Sequence, residues 1–467
     1  VETKLDTRRQ VAALAALHKA IEDPWTEGRF THLAKVAASE PTTFATFAQA
    51  LLPRDGSVTS CESAASAVAA SYPREAGSLA PALCSLRLGQ KRDALDHAIR
   101  AFASLPLRRL AGEFQTRIDG QLRSARERLS FLLERTMLVP DDGRAWWMVA
   151  LLQSGEATEQ AAVSAQIAEA LTSGFGRDFE AALKPVQVGI QLESFDLANR
   201  WLPRLEQAEA HTAWQTHFRA RARSTLLQLR GQFGEAQRVL AAAIDEMGPS
   251  AGVPYSIIAT ALFYSYLSSG SLADAEAVLR QYAAAYTDKS NPDHLTAAMM
   301  RLALDRRRDS ITHAELWQNL KELGAALEVA VPDSGKRERD AATCLVIAQV
   351  GTEEEAKAIA LGAGESTMTG GCRARGGHAW LKSGDPAQAR DWFRKARREI
   401  LFRGDWYLEV YVSAMLGEAA AAEALGDLDD AKRLYQQIVE RYRFADRELN
   451  EVGLAHAGLK RLGGPTH

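Results

Sequence analysis

The sequence contains no run of 18 or more apolar residues, so no segment of it is built to cross a bilayer as a helix. Cysteine is scarce. Four in 467 residues (Cys61, Cys84, Cys344 and Cys372) do not make a disulfide-framed scaffold. Charge of one sign is missing too: 56 basic side chains nearly cancel 59 acidic ones, which leaves no global field to favour nucleic acid or an anionic membrane surface. Aromatics make up only 7% and long β-branched runs are nearly absent, a bias against strands.

The motifs that carry common chemistries are absent as well. There is no G-x-x-x-x-G-K-[ST] phosphate loop, no H-E-x-x-H zinc helix, no G-x-S-x-G nucleophile elbow, and no kinase catalytic or metal-binding motif. The stretch Leu361–Thr367 begins like a dinucleotide loop but lacks the third glycine and follows a helical segment, so it reads as a plain loop. His211 and His217 are six residues apart and do not share a helical face, while His97, His313 and His378 have no acidic or cysteine neighbour at ligand spacing. These absences assign no catalytic residue, no cofactor and no metal site, and the expected reading is that the chain is not an enzyme.

What is present is alanine, at helical spacing, inside a repeated unit. Hydrophobic residues reach 46%, enough for a continuous core. A helical stretch is followed by a Gly or small polar turn, then by a small residue five positions on, then by a larger apolar one. In the clearest copies Gly384 precedes Ala389, Phe393 and Ala396, and Gly426 precedes Ala431, Tyr435 and Ile438. Glycine supplies the left-handed residue that ends the first helix, and a following Asp or Ser can cap the second. The alanine stands where two helices cross too closely for a larger side chain.

Gly377, Trp380, Gly384, Ala389, Phe393 and Ala396 resemble the tetratricopeptide repeat (TPR), although the family's proline at the end of the second helix is missing here. Further turns follow the same pattern at Gly56, Gly89, Gly120, Gly155, Glu193, Gly231, Gly270, roughly Arg308, and Gly351. Their small residues are Cys61, Ala94, Ala125, Ala161, Ala198, Ala236, Ala275 and Ala356. The turns stand between 31 and 43 residues apart, mostly longer than the family's usual repeat of about 34. The expected fold is therefore all-α: a right-handed superhelical α-solenoid of about eleven TPR-like hairpins, forming a single array over residues 1–467. Residues 205–285 and 370–445 are its most regular parts, and 1–50 and 290–340 its least regular. Ala363–Gly377 and Val331–Arg337 read as longer loops between helices.

Two details bear on packing and compartment. Cys61 lies at a close-crossing position and Cys84 in the first helix of the next hairpin, and Cys344 and Cys372 fall in first helices of neighbouring hairpins. Either pair could be an inter-repeat disulfide in an oxidising compartment, or each cysteine could serve as a small core residue. Localisation stays open on that account: the cytoplasm is slightly favoured, and an extracytoplasmic place would follow if Cys61–Cys84 or Cys344–Cys372 is a disulfide. The basic clusters around Arg108–Arg128, Arg306–Arg308 and Arg394–Arg398 are interleaved with acids and read as solvated faces.

The resemblance implies a concave groove lined by first-helix residues and open to a protein or peptide partner. Carried over residue by residue, the groove positions are Phe218, Arg221, Thr225, Gln228, Thr260, Tyr264, Ser268, His378, Lys382, Ser413 and Glu423. The resemblance further implies a non-catalytic protein- or peptide-binding scaffold or sensor, part of a larger bacterial signalling or regulatory protein with an effector domain before Val1. The alternatives are a small-molecule-responsive sensor solenoid, and an enzyme or enzyme subunit whose site is not recognisable from spacing. Oligomeric state and partner identity are not encoded in any pattern above.

Overall fold

A computed structural model describes residues 58–71, 79–88, 90, 93–94, 96–97, 100, 125–138, 140–155, 157–174, 178–288, 291–331, 335–363, 369–403 and 409–463. The expected turns at Gly56, Gly89 and Gly120, and most of the Arg108–Arg128 cluster, lie outside them. Among the described residues the regular structure is helical and there is no strand. The chain divides into two compact units, Val1–Leu152 and Gln153–His467, where the sequence pattern marks no boundary.

In the first unit, α1 (Val58–Ser71) packs on α2 (Leu79–Arg87), and the two are joined by a Cys61–Cys84 disulfide with a Cα–Cα distance of 5.8 Å. Helices α3 (Ala125–Leu138) and α4 (Gly143–Gln153) follow, with Leu132, Val149 and Leu152 in one apolar cluster. Arg135 and Asp142 form a buried ion pair at 2.6 Å.

The second unit is built from helical hairpins. After α5 (Thr158–Thr172), the pairs are α6 (Phe179–Gln191) with α7 (Phe195–Gln207), α8 (Ala213–Leu229) with α9 (Phe233–Met247), and α10 (Val253–Ser269) with α11 (Leu272–Ala285). Next come α12 (Pro292–Arg307) with α13 (His313–Ala330), and α14 (Gly335–Val350) with α15 (Glu353–Gly362). The last pairs are α16 (Gly370–Lys382) with α17 (Pro386–Arg403) and α18 (Glu409–Ala424) with α19 (Leu428–Arg441), and α20 (Asn450–Arg461) covers the end. Each first helix packs on the first helix of the next hairpin, which is the architecture of an all-α solenoid of TPR-like units.

The repeat works as its chemistry requires. Gly231, Gly270, Gly384 and Gly426 take φ values between 78° and 81°, the left-handed conformation that closes a first helix. Glu193 and Asp309 do the same without being glycine, each at φ 54°. The fourth residue of α5, α7, α9, α11, α15, α17 and α19 is the alanine expected from spacing (Ala161, Ala198, Ala236, Ala275, Ala356, Ala389 and Ala431), and every one is fully buried. Cys61 is the fourth residue of α1 and is likewise buried. In α13 the same place holds Leu316. The turn there closes on Asp309 rather than Arg308, and the intervening Ser310, Ile311 and Thr312 shift the register, with Thr312 in a capping box with Glu315.

Three expectations need correction. The glycine-rich stretch Gly370–Gly377 is helix, not loop. Its glycines are there for contact: a Cβ on Gly376 would meet the Lys357 backbone at 2.8 Å, and one on Gly377 would meet the Phe393 ring at 2.6 Å. Gly335–Arg337 likewise belongs to α14, where a Cβ on Gly335 would strike the Glu328 backbone at 2.6 Å. Cys344 and Cys372 are buried thiols with no disulfide between them, and the Cys372 amide donates to the Cys344 sulfur at 3.2 Å, so this pair is core packing and not a staple.

Candidate functional site

The predicted groove residues fall into two groups. Thr225, Gln228, Thr260 and Tyr264 are buried within the second unit. Burial also pushes the Tyr264 hydroxyl well above its ordinary range, as expected for a phenol with no access to water. Phe218, Arg221, Ser268, His378 and Ser413 are half-buried, and Lys382 is exposed. His378 Nε2 meets Ser413 Oγ at 3.2 Å, so the structure brings these two predicted positions together. Burial lowers the His378 pKa, against the opposing charge of Glu353. Lys382 pairs with Glu353 at 2.8 Å. Half-buried Glu423 accepts from Tyr435 Oη at 2.8 Å and from Arg461 Nε at 3.0 Å, tying α18 to α19 and α20.

The inner face is narrow because the unit closes on itself. Helix α17 reaches α6, and Leu401 joins Gln187, Ile190, Phe218, Arg221 and Thr225 around a cavity of only about 70 Å³. Arg397 on α17 bridges Glu193 at 2.6 Å and Glu418 at 2.5 Å. Arg441 on α19 lies 3.8 Å from Glu193, over the Phe195 ring, and donates to Tyr411 Oη at 2.9 Å. Burial alone would raise the Glu193 carboxyl, but Arg397 and Arg441 beside it hold it below the usual carboxylate range. The Asp446 amide donates to the Gly231 carbonyl at 2.9 Å, and the Gly234 amide donates to Asp446 Oδ2 at 2.7 Å. The Arg394–Arg398 cluster is a solvated face only in part: Arg394, Lys395 and Arg398 are exposed, while Arg397 is drawn into the closure. Lys395 makes the expected i,i+4 pair with Asp391, and Arg394 and Arg397 bind Glu418 on the next helix.

A larger opening lies elsewhere. Between α13, α14 and α15 runs a groove of about 730 Å³. Trp317, Leu320 and Ile359 line it with apolar surface, and Lys321, Glu328, Arg339 and Asp340 supply charge. On α13 the lining residues Ala314, Trp317, Gln318, Lys321, Ala325 and Glu328 follow helical spacing, so they form one face about 21 Å long. Trp317 Nε1 and His313 Nε2 both meet Glu355 Oε1 at 2.5 Å, which ties α13 to α15 at one end of the groove. Arg339 is held by Glu328 and Asp340 at 2.7 Å each. None of these residues was singled out as a partner site by sequence spacing. The signal present there was irregularity: this is the stretch where the register slips and Leu316 replaces the alanine.

Among the described residues no group of three or more His, Cys, Asp or Glu side chains is placed to hold a metal ion, and no helix is long and apolar enough to cross a membrane.

No family model matches the chain and no curated protein matches its sequence. Among solved structures, it is similar to a chain of the APC/C heterotetramer Cut9–Hcn1 at 12% identity, over 99% of this chain and 94% of that one, with a TM-score of 0.41. It is similar to a chain of Naa15/Naa10 bound to HypK-THB at 12% identity over 83% of this chain and 66% of that one, with a TM-score of 0.27. It is also similar to the TPR domain of P58(IPK) at 14% identity over 83% and 96%, with a TM-score of 0.23.

Proposed function

We propose that this chain is a non-catalytic scaffold that binds a protein or peptide, and that the groove between α13, α14 and α15 is its recognising surface. The observation that carries this reading is the shape of the groove. One face of α13 lines it for about 21 Å. That is the length of a four-turn helix or a short extended peptide, with an apolar floor and charges beside it. The inner-face positions Phe218, Arg221, Ser268, His378, Lys382 and Ser413 form a second surface in this reading, reached where the unit is not closed over them. A place within a larger bacterial signalling protein remains part of the proposal and rests on the TPR resemblance alone.

A second reading has one observation in its favour: about 730 Å³ lies within the range of small-molecule pockets. The two are separated by a photo-reactive residue placed at Gln318 in the full chain, in the native host. A protein adduct that disappears when Ala325, exposed in the groove, is changed to Arg supports peptide recognition. A small metabolite that raises the Tm of the wild type but not of Ala325→Arg, with no protein adduct, contradicts it in favour of the sensor.

A further inference from the structure

Successive hairpins of the second unit are joined by apolar packing. A single buried cluster runs from Ala220 through Tyr264, Leu279, Met300 and Val346 to Trp392. The contact that closes the unit has a different composition. It consists of the Glu193–Arg397 and Glu193–Arg441 ion pairs, two hydrogen bonds of Asp446 to the Gly231–Gly234 turn, and Arg447 stacked 4.0 Å over the Phe233 ring. Its apolar side chains are Leu401 against Ile190 and Phe218, Ala445, and the Phe195 and Phe233 rings beneath Arg441 and Arg447.

The geometry points to a latch: these contacts hold the unit shut over the inner faces of α6 and α8 and release them while the hairpins stay folded. Two features make release inexpensive. First, on parting, Arg397 keeps Glu418 and Arg441 keeps Tyr411, so neither cation is left buried without a partner. Glu193 sits in the α6–α7 turn and Asp446 is exposed, so the acids that lose partners pass to water. Second, the apolar contact that separates is confined to these few side chains, whereas neighbouring hairpins share one continuous apolar cluster that stays intact. Phe218, Arg221 and Gln187 would then line an accessible face. The inference does not depend on the α13–α15 groove, since no residue of that groove touches the latch.

Amide hydrogen exchange on the full chain tests it, because the Asp446 and Gly234 amides are themselves latch donors. Glu193→Gln keeps side-chain size and backbone conformation but removes the charge, and Asp446→Ala removes an exposed acceptor. Each perturbation should speed exchange of the Gly234 and residue-446 amides by about tenfold and leave the helical amides of α6, α8 and α12–α15 unchanged. The radius of gyration should rise with it. Unchanged exchange in both variants overturns the latch. Uniform acceleration across the second unit overturns it equally, because the closure would then be inseparable from the fold. Ala325→Arg should leave this exchange pattern alone, which keeps a failed groove distinct from a failed latch.

Discussion

Phe393 is the wedge between the two most regular hairpins, and its surroundings make a sharp prediction. The ring is fully buried between Gly377 on α16 and Gly417 on α18. A Cβ on Gly417 would lie 2.7 Å from Phe393 Cε2, with Cζ and Cε1 nearer still. The ring cannot retreat, because a Cβ-sized space at Gly377 is already filled by the same ring at 2.6 Å. Overpacking of this kind costs about 1–3 kcal/mol, and the overlap here places Gly417→Ala near the top of that range. Alanine returns about 1 kcal/mol through its better helix propensity. The net loss should be about 2 kcal/mol, read as a shift in the denaturant midpoint at constant m. Phe393→Leu alone should also destabilise, but in the double variant the two losses should not add, since the smaller side chain makes room for the methyl. A stable Gly417→Ala protein, or strictly additive losses, would refute the argument that glycine is required by this ring.

Other outcomes follow from the same contacts. Gly231→Ala and Gly270→Ala force alanine into nearly the same left-handed turn, at φ 78° and 79°, and should each lose about 1–2 kcal/mol. Gly231→Ala should lose more, because its Cβ would meet Ala445 at 2.8 Å whereas nothing lies within 4 Å at Gly270; equal midpoints in urea would count against the closure. Burial, and then the charge of Arg221, lowers the His217 pKa from 6.5 to about 3. The folded state therefore binds fewer protons than the unfolded one below pH 6.5, so stability is full above that pH and falls on acidification, by about 1 kcal/mol per pH unit. Above about pH 5.5 the carboxylates held low by arginines (Glu193, Glu423 and Asp430) add little to this slope, because their contribution is lost only as the pH falls through their unfolded values. His217→Phe should flatten the slope between about pH 6.5 and about pH 5.5, leaving the shares of His378 and His97; an unchanged slope would show that His217 accepts a proton without cost.

The hairpins were legible because their determinants are local. A left-handed residue and, five positions on, an alanine at a helix crossing are fixed by backbone geometry within one repeat, and Gly384–Ala389 and Gly426–Ala431 show both. Glu193 could be placed by spacing although its side chain gives no sign of positive φ. Asp309 was missed by one residue because three residues, Ser310–Thr312, lengthen that turn. The glycines of Gly370–Gly377 suggested a loop because their reason for being small lies on other helices, in Lys357, Trp392 and Phe393. The closure was illegible for a similar reason. Arg397 and Glu193 are 204 residues apart, and within its own helix Arg397 looks like one more solvated arginine. Of the predicted groove, the helical face could be counted off in sequence, but whether that face stays open depends on where α17 returns.

The closed second unit is tested most directly by the distance between its second and last hairpins in solution. Spin labels at Arg238 on α9 and Glu448 after α19, both exposed, sit close to the Gly234–Asp446 hydrogen bond at 2.7 Å. The native thiols Cys344 and Cys372 are buried and should not compete for label. Double electron–electron resonance should give one narrow distribution below about 30 Å, since each label is one or two short segments from that bond. Hairpins stacked without closure, at about 10 Å per step over five steps, would put the labels about 50 Å apart. A distribution centred there would contradict the closed unit and the latch drawn from it.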